Sequence, residues 1–265
     1  MKYKIGFIGC GNMGGALIKA ASVELHNGEI AVFDKDGTKT SAMQERYGAV
    51  PTTLEDLAEN SEFVVLGVKP QIMAEALAPI AKILQNRKDV TVVTMAAGLS
   101  MSAIRGFIGA NLPMIRIMPN TPVTVNEGMI LYVTADVSAA AHDTFRAYFA
   151  HAGKFDLVTE AQLDAGGALS GCGPAFAYAF AEALAEGAIE CGVPEDKAVA
   201  WTAQTLLGAA NMLLEFGDPV ALRKAVCSPN GTTLAGVAAM QENGFHNAAK
   251  SAVLAAYKRT LELKK

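Results

Sequence analysis

The chain has 265 residues, of which 51% are hydrophobic and 18% are charged, and its net charge is −4. This composition predicts a compact globular protein with a sizeable core and argues against a disordered chain. It also lacks the clustered basic residues of a nucleic-acid binder.

The first residues, MKYKIGFIG, lack the pattern of a signal peptide. The longest uncharged apolar window, residues 165–181, is shorter than the roughly 18 residues of a membrane span and contains glycines and Pro174. Four scattered cysteines without a CxxC pair fit a reducing compartment, and the four histidines show no metal-ligand spacing. We therefore expect a cytoplasmic protein without a metal site or a membrane partner.

Short apolar runs rich in Val and Ile alternate with helical stretches through the first 160 residues. Continuous apolar runs are typical of a parallel sheet that is covered on both faces. The predicted strands are YKIGFIG (3–9), EIAVFD (29–34), FVVLGV (63–68), DVTVVTMA (89–96) and MIRIMP (114–119). Two later runs, GMILYV (128–133) and GKFDLV (153–158), flank a predicted helix over 137–152 and extend the same sheet at its edge.

Beyond about residue 162 only helices are predicted. Proline just inside a helix start and glycine just past its end give the boundaries. The predicted helices cover 174–191, 194–216, a short segment begun by Asp218-Pro219, a segment from about Thr232, and 245 to the C-terminus. The predicted fold class is therefore α/β: a Rossmann-like domain over 1–160, followed by an all-α domain over 161–265.

The longest predicted helices are apolar on most sides. Such helices must be buried nearly all round, and a bundle of roughly 100 residues has too little interior for this. We infer that subunits bury these surfaces against each other. The alternative is an unusually apolar single-chain bundle packed on the first domain.

The segment GCGNMG follows the first predicted strand and opens a helix, as in a dinucleotide-binding loop. Gly9 permits the tight turn, Gly11 lets a pyrophosphate approach the backbone, and Gly14 allows close packing of helix and strand. The predicted cofactor contacts in this loop are Ile8, Gly9, Cys10, Gly11, Asn12, Met13 and Gly14.

Asp34 ends the second predicted strand, where an acidic residue usually accepts a hydrogen bond from the ribose 2′-hydroxyl and repels a 2′-phosphate. This position favours NADH. Lys35, Thr38 and Lys39 follow at once and could hold a phosphate if Asp34 turned outward, so NADPH stays open. Each lysine taken singly also fits a solvated helix start.

Three further strand ends combine Gly or Pro with polar residues: VKPQ, AAG and MPNTP. Ligands bind at the carboxyl ends of parallel strands, whereas an ordinary turn would explain any one of these segments. The predicted cofactor contacts are Asp34, Lys35, Val68, Lys69, Pro70, Ala96, Ala97, Gly98 and Asn120.

The segment CSPNGTT (227–233) interrupts the helical region. Ser228 offers a hydroxyl, and the N–H groups of Gly231, Thr232 and Thr233 form a helix start that could bind a carboxylate. The alternative is that Ser228 or Thr232 simply caps the helix.

The motifs IGFIGCGNMG, VKP, AAG, MPNTP, LSGCGPAF and CSPNGTTLAGV together resemble Δ1-pyrroline-5-carboxylate reductases over the entire chain. The resemblance implies a Rossmann domain with a helical domain that interlocks in a dimer, often within a decamer. It also implies that Ser228, Gly231 and Thr232 hold the substrate carboxylate and that Thr233 contacts the ring nitrogen. The sequence departs from the family at Asn230, where glycine is frequent, and at Asp34, which puts the usual NADPH preference in doubt.

The implied reaction is hydride transfer from NADPH or NADH to the C=N carbon of a small cyclic imine, which gives L-proline. One alternative is a β-hydroxyacid dehydrogenase-like oxidoreductase, which has a similar two-domain organisation. Such enzymes need a lysine on a helix, and the predicted helix 174–191 contains none. The second is a non-enzymatic NAD(P)-sensing protein.

Overall fold

The computed structural model describes residues 1–263, and Lys264 and Lys265, which end the predicted helical domain, lie outside the described residues. The chain forms two compact units: Met1–Cys172 together with the chain from Ala256 onward, and Gly173–Ala255. Among the helices described, none combines the length and the apolar character needed to cross a bilayer.

The first unit is built on one eight-stranded sheet in the order β3-β2-β1-β4-β5-β6-β7-β8. The strands are β1 (Tyr3–Ile8), β2 (Ile30–Phe33), β3 (Val50–Pro51), β4 (Ser61–Leu66), β5 (Thr91–Thr94), β6 (Met114–Met118), β7 (Gly128–Ala135) and β8 (Gly153–Leu157). The strands β1 to β6 pair in parallel, β7 is antiparallel to β6, and β8 is parallel to β7. All seven predicted strands are confirmed, including the extension at the edge, and only the two-residue β3 was not predicted.

Helices cover both faces of this sheet. They are α1 (Asn12–Ala21), α2 (Gly37–Tyr47), α3 (Leu54–Asn60), α4 (Met73–Leu77), α5 (Ala81–Gln85), α6 (Met101–Ile108), α7 (Ala139–Tyr148) and α8 (Glu160–Ser170). Along β4, Phe63 and Val65 pack into one core cluster and Val64 and Leu66 into the other. This alternation explains the uninterrupted apolar runs, because every residue of such a strand meets a covered face.

The second unit is entirely helical. Its helices are α9 (Gly173–Glu190), α10 (Glu195–Phe216), α11 (Pro219–Val226), α12 (Thr232–Glu242) and most of α13 (Phe245–Glu262). The predicted helix starts and ends agree with these bounds to within one residue, apart from the predicted end of the last helix at the C-terminus, which lies outside the described residues. Gly192 and Gly217, the predicted stops, both have positive φ, at 95° and 76°.

These helices bury little of their own apolar surface within one chain. In α9 only Ala185 is buried, and in α10 only Ala198 and Thr202, among the described residues. Large apolar side chains such as Trp201 and Leu214 are 56% and 69% exposed. The second unit of a single chain therefore has no substantial core of its own.

Candidate active site

The glycine loop between β1 and α1 has the geometry that its sequence predicts. Gly9 adopts φ of 104°, and a Cβ placed on it would lie 2.8 Å from the carbonyl carbon of Gly67. A Cβ on Gly14 would collide with the carbonyl oxygen of Gly9, whereas a Cβ on Gly11 would meet open space. Gly9 and Gly14 thus allow close backbone packing, and Gly11 leaves room above the loop for a ligand.

Gly11 is the N-cap residue of α1 and has no side chain that could cap the helix start. The first N–H groups of a helix have no partner inside the helix, so those of α1 remain available to an anion. A dinucleotide pyrophosphate fits this position because it accepts several hydrogen bonds from backbone donors.

A cleft of about 640 Å³ lies beside this loop in the first unit. It gathers seven of the predicted cofactor residues: Ile8, Gly9, Gly11, Asp34, Lys35, Val68 and Lys69. It also includes residues that the sequence prediction did not include among the cofactor contacts: Phe33, Lys39, Leu54, Gly67, Ile72, Glu75, Ala76 and Pro79. The lining combines apolar side chains with the charged side chains of Asp34, Lys35, Lys39, Lys69 and Glu75.

Asp34 is fixed by the backbone around it. Its Oδ2 accepts a hydrogen bond from the Cys10 N–H at 2.8 Å, and its Oδ1 accepts one from the Asp36 N–H at 2.9 Å. The side chain is 13% exposed. Asp34 therefore holds the glycine loop to the end of β2, and it has not turned outward as the phosphate-binding alternative requires.

The polar groups near Asp34 also have partners. The Lys39 Nζ lies 3.7 Å from Asp34 Oδ1, and the Lys35 Nζ lies 2.6 Å from Glu75 Oε1. The Thr38 hydroxyl donates to Asp36, which caps α2. The three polar residues considered for a phosphate are thus each engaged with a carboxylate of this chain.

Cys10 contributes its backbone to this loop, because its side chain is buried. Burial, with the nearby Asp34 carboxylate as a smaller cause, raises the pKa of the Cys10 thiol to about 12. A neutral thiol is a poor nucleophile. Cys10, with Gly11 and Asn12, lines a smaller pocket of about 220 Å³ on α1 and α2.

Among the described residues, the remaining predicted cofactor contacts do not line the larger cleft. Met13 and Gly14 are in α1, Pro70 follows β4, and Ala96, Ala97 and Gly98 follow β5.

Asn120 follows β6, and its side chain forms hydrogen bonds to the backbone. Its Nδ2 donates to the Ser170 carbonyl at 3.0 Å, and its Oδ1 accepts from the Met129 N–H at 2.9 Å. Asn120 thus ties the end of β6 to α8 and to β7.

A buried ion pair in the first unit was not predicted from the sequence. Arg116 of β6 is 1% exposed, and its Nη2 lies 2.9 Å from Oδ1 of Asp164, which is 2% exposed. Arg116 Nη1 lies 3.5 Å from Oε1 of the half-exposed Glu160. The pair fixes α8 against the strand that precedes Asn120.

In the second unit, residues 228–231 form a tight turn before α12. The Gly231 N–H donates to the Ser228 carbonyl at 3.0 Å, and Asn230 adopts φ of 58°. The expectation that Asn230 tolerates a left-handed backbone is confirmed. The sequence prediction had the Gly231 N–H point outward, whereas here it closes the turn, so Thr232 and Thr233 supply the N–H groups that begin the helix.

Gly231 is the N-cap residue of α12, and no side chain caps this helix start. By contrast, α2, α3, α6, α7, α8 and α11 are all capped by an Asp, Ser or Thr side chain. The alternative that Ser228 or Thr232 caps the helix is therefore wrong. Ser228, Thr232 and Thr233 are exposed in the single chain, so this uncapped start is open to an anion.

Two protein families match the chain, one over the first strands and helices of the sheet and one from α8 onward. Residues 4–98 match the family described as NADP oxidoreductase, coenzyme F420-dependent. Residues 160–263 match the family described as pyrroline-5-carboxylate reductase dimerisation.

Curated relatives match over the full chain. A pyrroline-5-carboxylate reductase of Escherichia coli (strain K12) is 34% identical over 274 aligned residues, which cover 100% of both chains. Pyrroline-5-carboxylate reductase 3 of Danio rerio is 34% identical, covering 98% of this chain and 91% of its own.

Solved structures of the same family are similar to this chain over its full length. A pyrroline-5-carboxylate reductase of Coxiella burnetii superposes with a TM-score of 0.89 at 30% identity, covering 100% of both chains. A pyrroline carboxylate reductase of Plasmodium falciparum, solved with NADP bound, gives 0.89 at 25% identity, also covering 100% of both chains. The chain therefore belongs to the pyrroline-5-carboxylate reductase family and is an NAD(P)H-dependent oxidoreductase.

Proposed function

We propose that this chain carries out the last step of proline biosynthesis, the reduction of Δ1-pyrroline-5-carboxylate to L-proline, with the turn at Ser228–Thr233 as its carboxylate site. The observation that carries this site assignment is the uncapped start of α12 at Gly231. The start lies within CSPNGTTLAGV, one of the segments on which the resemblance to the family rests.

The substrate carboxylate accepts hydrogen bonds from the Thr232 and Thr233 N–H groups and from the Ser228 hydroxyl. Hydrogen bonds to a charged group each contribute about 1.5–3 kcal/mol, which is enough to fix a small acid in one orientation. Gly231 acts through the turn, because its N–H is already bonded to Ser228 and a Cβ there would collide with the Ser228 hydroxyl.

The reduced nicotinamide, when bound, supplies the hydride that adds to the C=N carbon. The glycine loop and the cleft residues of the first unit fit the dinucleotide, as the open space above Gly11 and the uncapped α1 indicate. The Thr233 hydroxyl orients the ring nitrogen by a hydrogen bond. A threonine hydroxyl is a poor acid near neutral pH, so the imine enters with its own proton and Thr233 positions that nitrogen.

We place the functional division near residue 160, with the dinucleotide-binding part over 1–160 and the dimerisation and substrate part over 161–265. The family match from residue 160 supports this division. A cytoplasmic location is consistent with four free cysteines.

Self-association covers the apolar helix faces that the second unit leaves exposed in a single chain. Exposed apolar side chains on α9 and α10 include Tyr178, Val199, Trp201, Leu207, Leu214 and Phe216. The match to a dimerisation family supports the covering of these faces by a second copy. The basic assembly is a homodimer, and dimers assemble further into a decamer.

Leu214→Glu is expected to disrupt this assembly, because a charge on a covered apolar face costs several kcal/mol when it has no partner. Light scattering after gel filtration should give at least twice the single-chain mass for the unmodified protein and a smaller particle for the variant. Phe107→Glu, on an exposed position of α6, is the control and should leave the mass unchanged. A single-chain mass for the unmodified protein would overturn the proposal.

The activity itself is tested by mixing the purified protein with pyrroline-5-carboxylate and either NADPH or NADH. We expect loss of the reduced-nicotinamide absorbance with a stoichiometric yield of L-proline. Turnover of β-hydroxyacids instead would support the dehydrogenase alternative. Tight cofactor binding without any turnover would support the sensing protein.

A further inference from the structure

We infer that Glu75 is a cofactor-specificity residue: by pairing with Lys35 it keeps that lysine from a 2′-phosphate, and with Asp34 it makes this protein prefer NAD(H) to NADP(H). The inference rests on the proposed dinucleotide site in the first unit. Glu75 lies 40 positions after Lys35 in the chain, and the fold places both in the lining of one cleft.

The first step concerns the ribose end of the site. Asp34 directly follows β2, the position that meets the ribose in dinucleotide folds, and two backbone N–H groups hold its carboxylate in place. The carboxylate is thus a fixed acceptor for the 2′-hydroxyl of NAD(H). A 2′-phosphate would bring like charge against a group that cannot swing away.

The second step concerns the cations that could offset that repulsion. Lys39 lies within 4 Å of both Asp34 and Asp36. The Lys35 Nζ contacts Glu75 Oε1 at 2.6 Å. Hydrogen bonding and charge attraction from Lys35 hold the pKa of Glu75 below its ordinary value, so Glu75 is ionised at neutral pH.

The third step is the charge next to the end of β2. There the two lysines, Lys35 and Lys39, are already paired with Glu75, Asp34 and Asp36, and the third lysine of the cleft, Lys69, comes from the segment after β4. A 2′-phosphate adds further negative charge where the nearest lysines are already paired. The uncharged ribose of NAD(H) adds none, and this difference gives the expected preference.

Glu75→Gln removes the partner of Lys35 without touching the glycine loop or Asp34. Calorimetric titration of the protein with NAD⁺ and NADP⁺ should show NAD⁺ binding more tightly to the unmodified chain. The variant should bind NADP⁺ about three- to tenfold more tightly, as expected from freeing one charged donor near the surface, with NAD⁺ affinity changed less than about twofold. Raising the salt concentration should reduce the gain, since the pair is exposed.

Two controls separate this role from a general charge effect. Glu45→Gln deletes an exposed carboxylate on α2 and should leave the ratio of the two dissociation constants unchanged. In a Lys35→Ala background, Glu75→Gln should have little further effect, because the freed lysine is missing. Equal gains with and without Lys35 would overturn the role of the pair.

The outcomes also separate this inference from the proposed function. If neither dinucleotide binds, the dinucleotide site itself is refuted. If both bind and Glu75→Gln leaves their ratio unchanged, only the specificity role is refuted. Tighter binding of NADP⁺ than NAD⁺ by the unmodified chain would likewise contradict the inferred preference while leaving the reductase activity intact.

Discussion

Replacing Thr233 with alanine is expected to lower kcat by about 10- to 100-fold, while KM for pyrroline-5-carboxylate changes far less. The variant loses the hydroxyl that orients the ring nitrogen but keeps the backbone N–H groups that hold the carboxylate. A hydrogen bond to a charged group contributes about 1.5–3 kcal/mol, and each 1.36 kcal/mol of barrier is a factor of ten in rate. Steady-state kinetics at saturating cofactor measures both constants.

Ser228→Ala is the matched comparison in the same turn. It removes a carboxylate contact, so KM should rise about tenfold or more with kcat largely retained. Thr233→Ser keeps the hydroxyl and should recover most of the rate. Thr144→Ala, in α7 of the first unit, removes a hydroxyl that donates to its own helix backbone and should leave both constants unchanged. Unaltered kinetics in both Thr233→Ala and Ser228→Ala would falsify the carboxylate site.

Asp164→Asn is expected to lower the free energy of unfolding by about 3–5 kcal/mol, because it leaves the buried Arg116 without its closest carboxylate. Arg116 is 1% exposed, and the other carboxylate, Glu160, is farther away at 3.5 Å and half-exposed. The Arg116 Nε has no hydrogen-bond partner among the described residues. The guanidinium therefore has little to compensate the lost charge. Urea unfolding followed by circular dichroism measures the change.

Glu75→Gln serves as the control for this stability effect. It breaks an ion pair whose side chains are 73% and 67% exposed, and because solvent screens such a pair, the free energy of unfolding should change little. The double replacement Arg116→Met with Asp164→Leu should recover much of the lost stability, since an apolar pair of similar volume often substitutes for a buried ion pair. A loss in Asp164→Asn no larger than that in Glu75→Gln would show that the buried pair does not stabilise the first unit.

Most of the fold followed from local sequence patterns. Uninterrupted apolar runs gave seven strands, and glycine and proline gave the ends of the long helices. Strand β3 was missed because two residues carry no periodicity. Helix α8 was not among the helices predicted, although Thr159 and Gln162 form a capping box that marks its start and could have revealed it.

The glycine loop and the segment CSPNGTT could be recognised from sequence because their function depends on backbone conformation. Gly9 and Asn230 adopt positive φ, and Gly14 approaches the carbonyl oxygen of Gly9, five positions earlier in the same loop. Local signals of this kind do not depend on knowing which distant segments meet. The helix boundaries set by glycine and proline are of the same type.

Only the tertiary structure decided which distant charges meet. Glu75 pairs with Lys35, Asp164 pairs with Arg116, and the Cys10 N–H binds Asp34 because separate strands and helices converge. It also decided that the Gly231 N–H closes a turn and that α12 begins without a cap. The physical reason is that an ion pair depends on the distance between side chains from separate elements, and packing of the whole unit sets that distance.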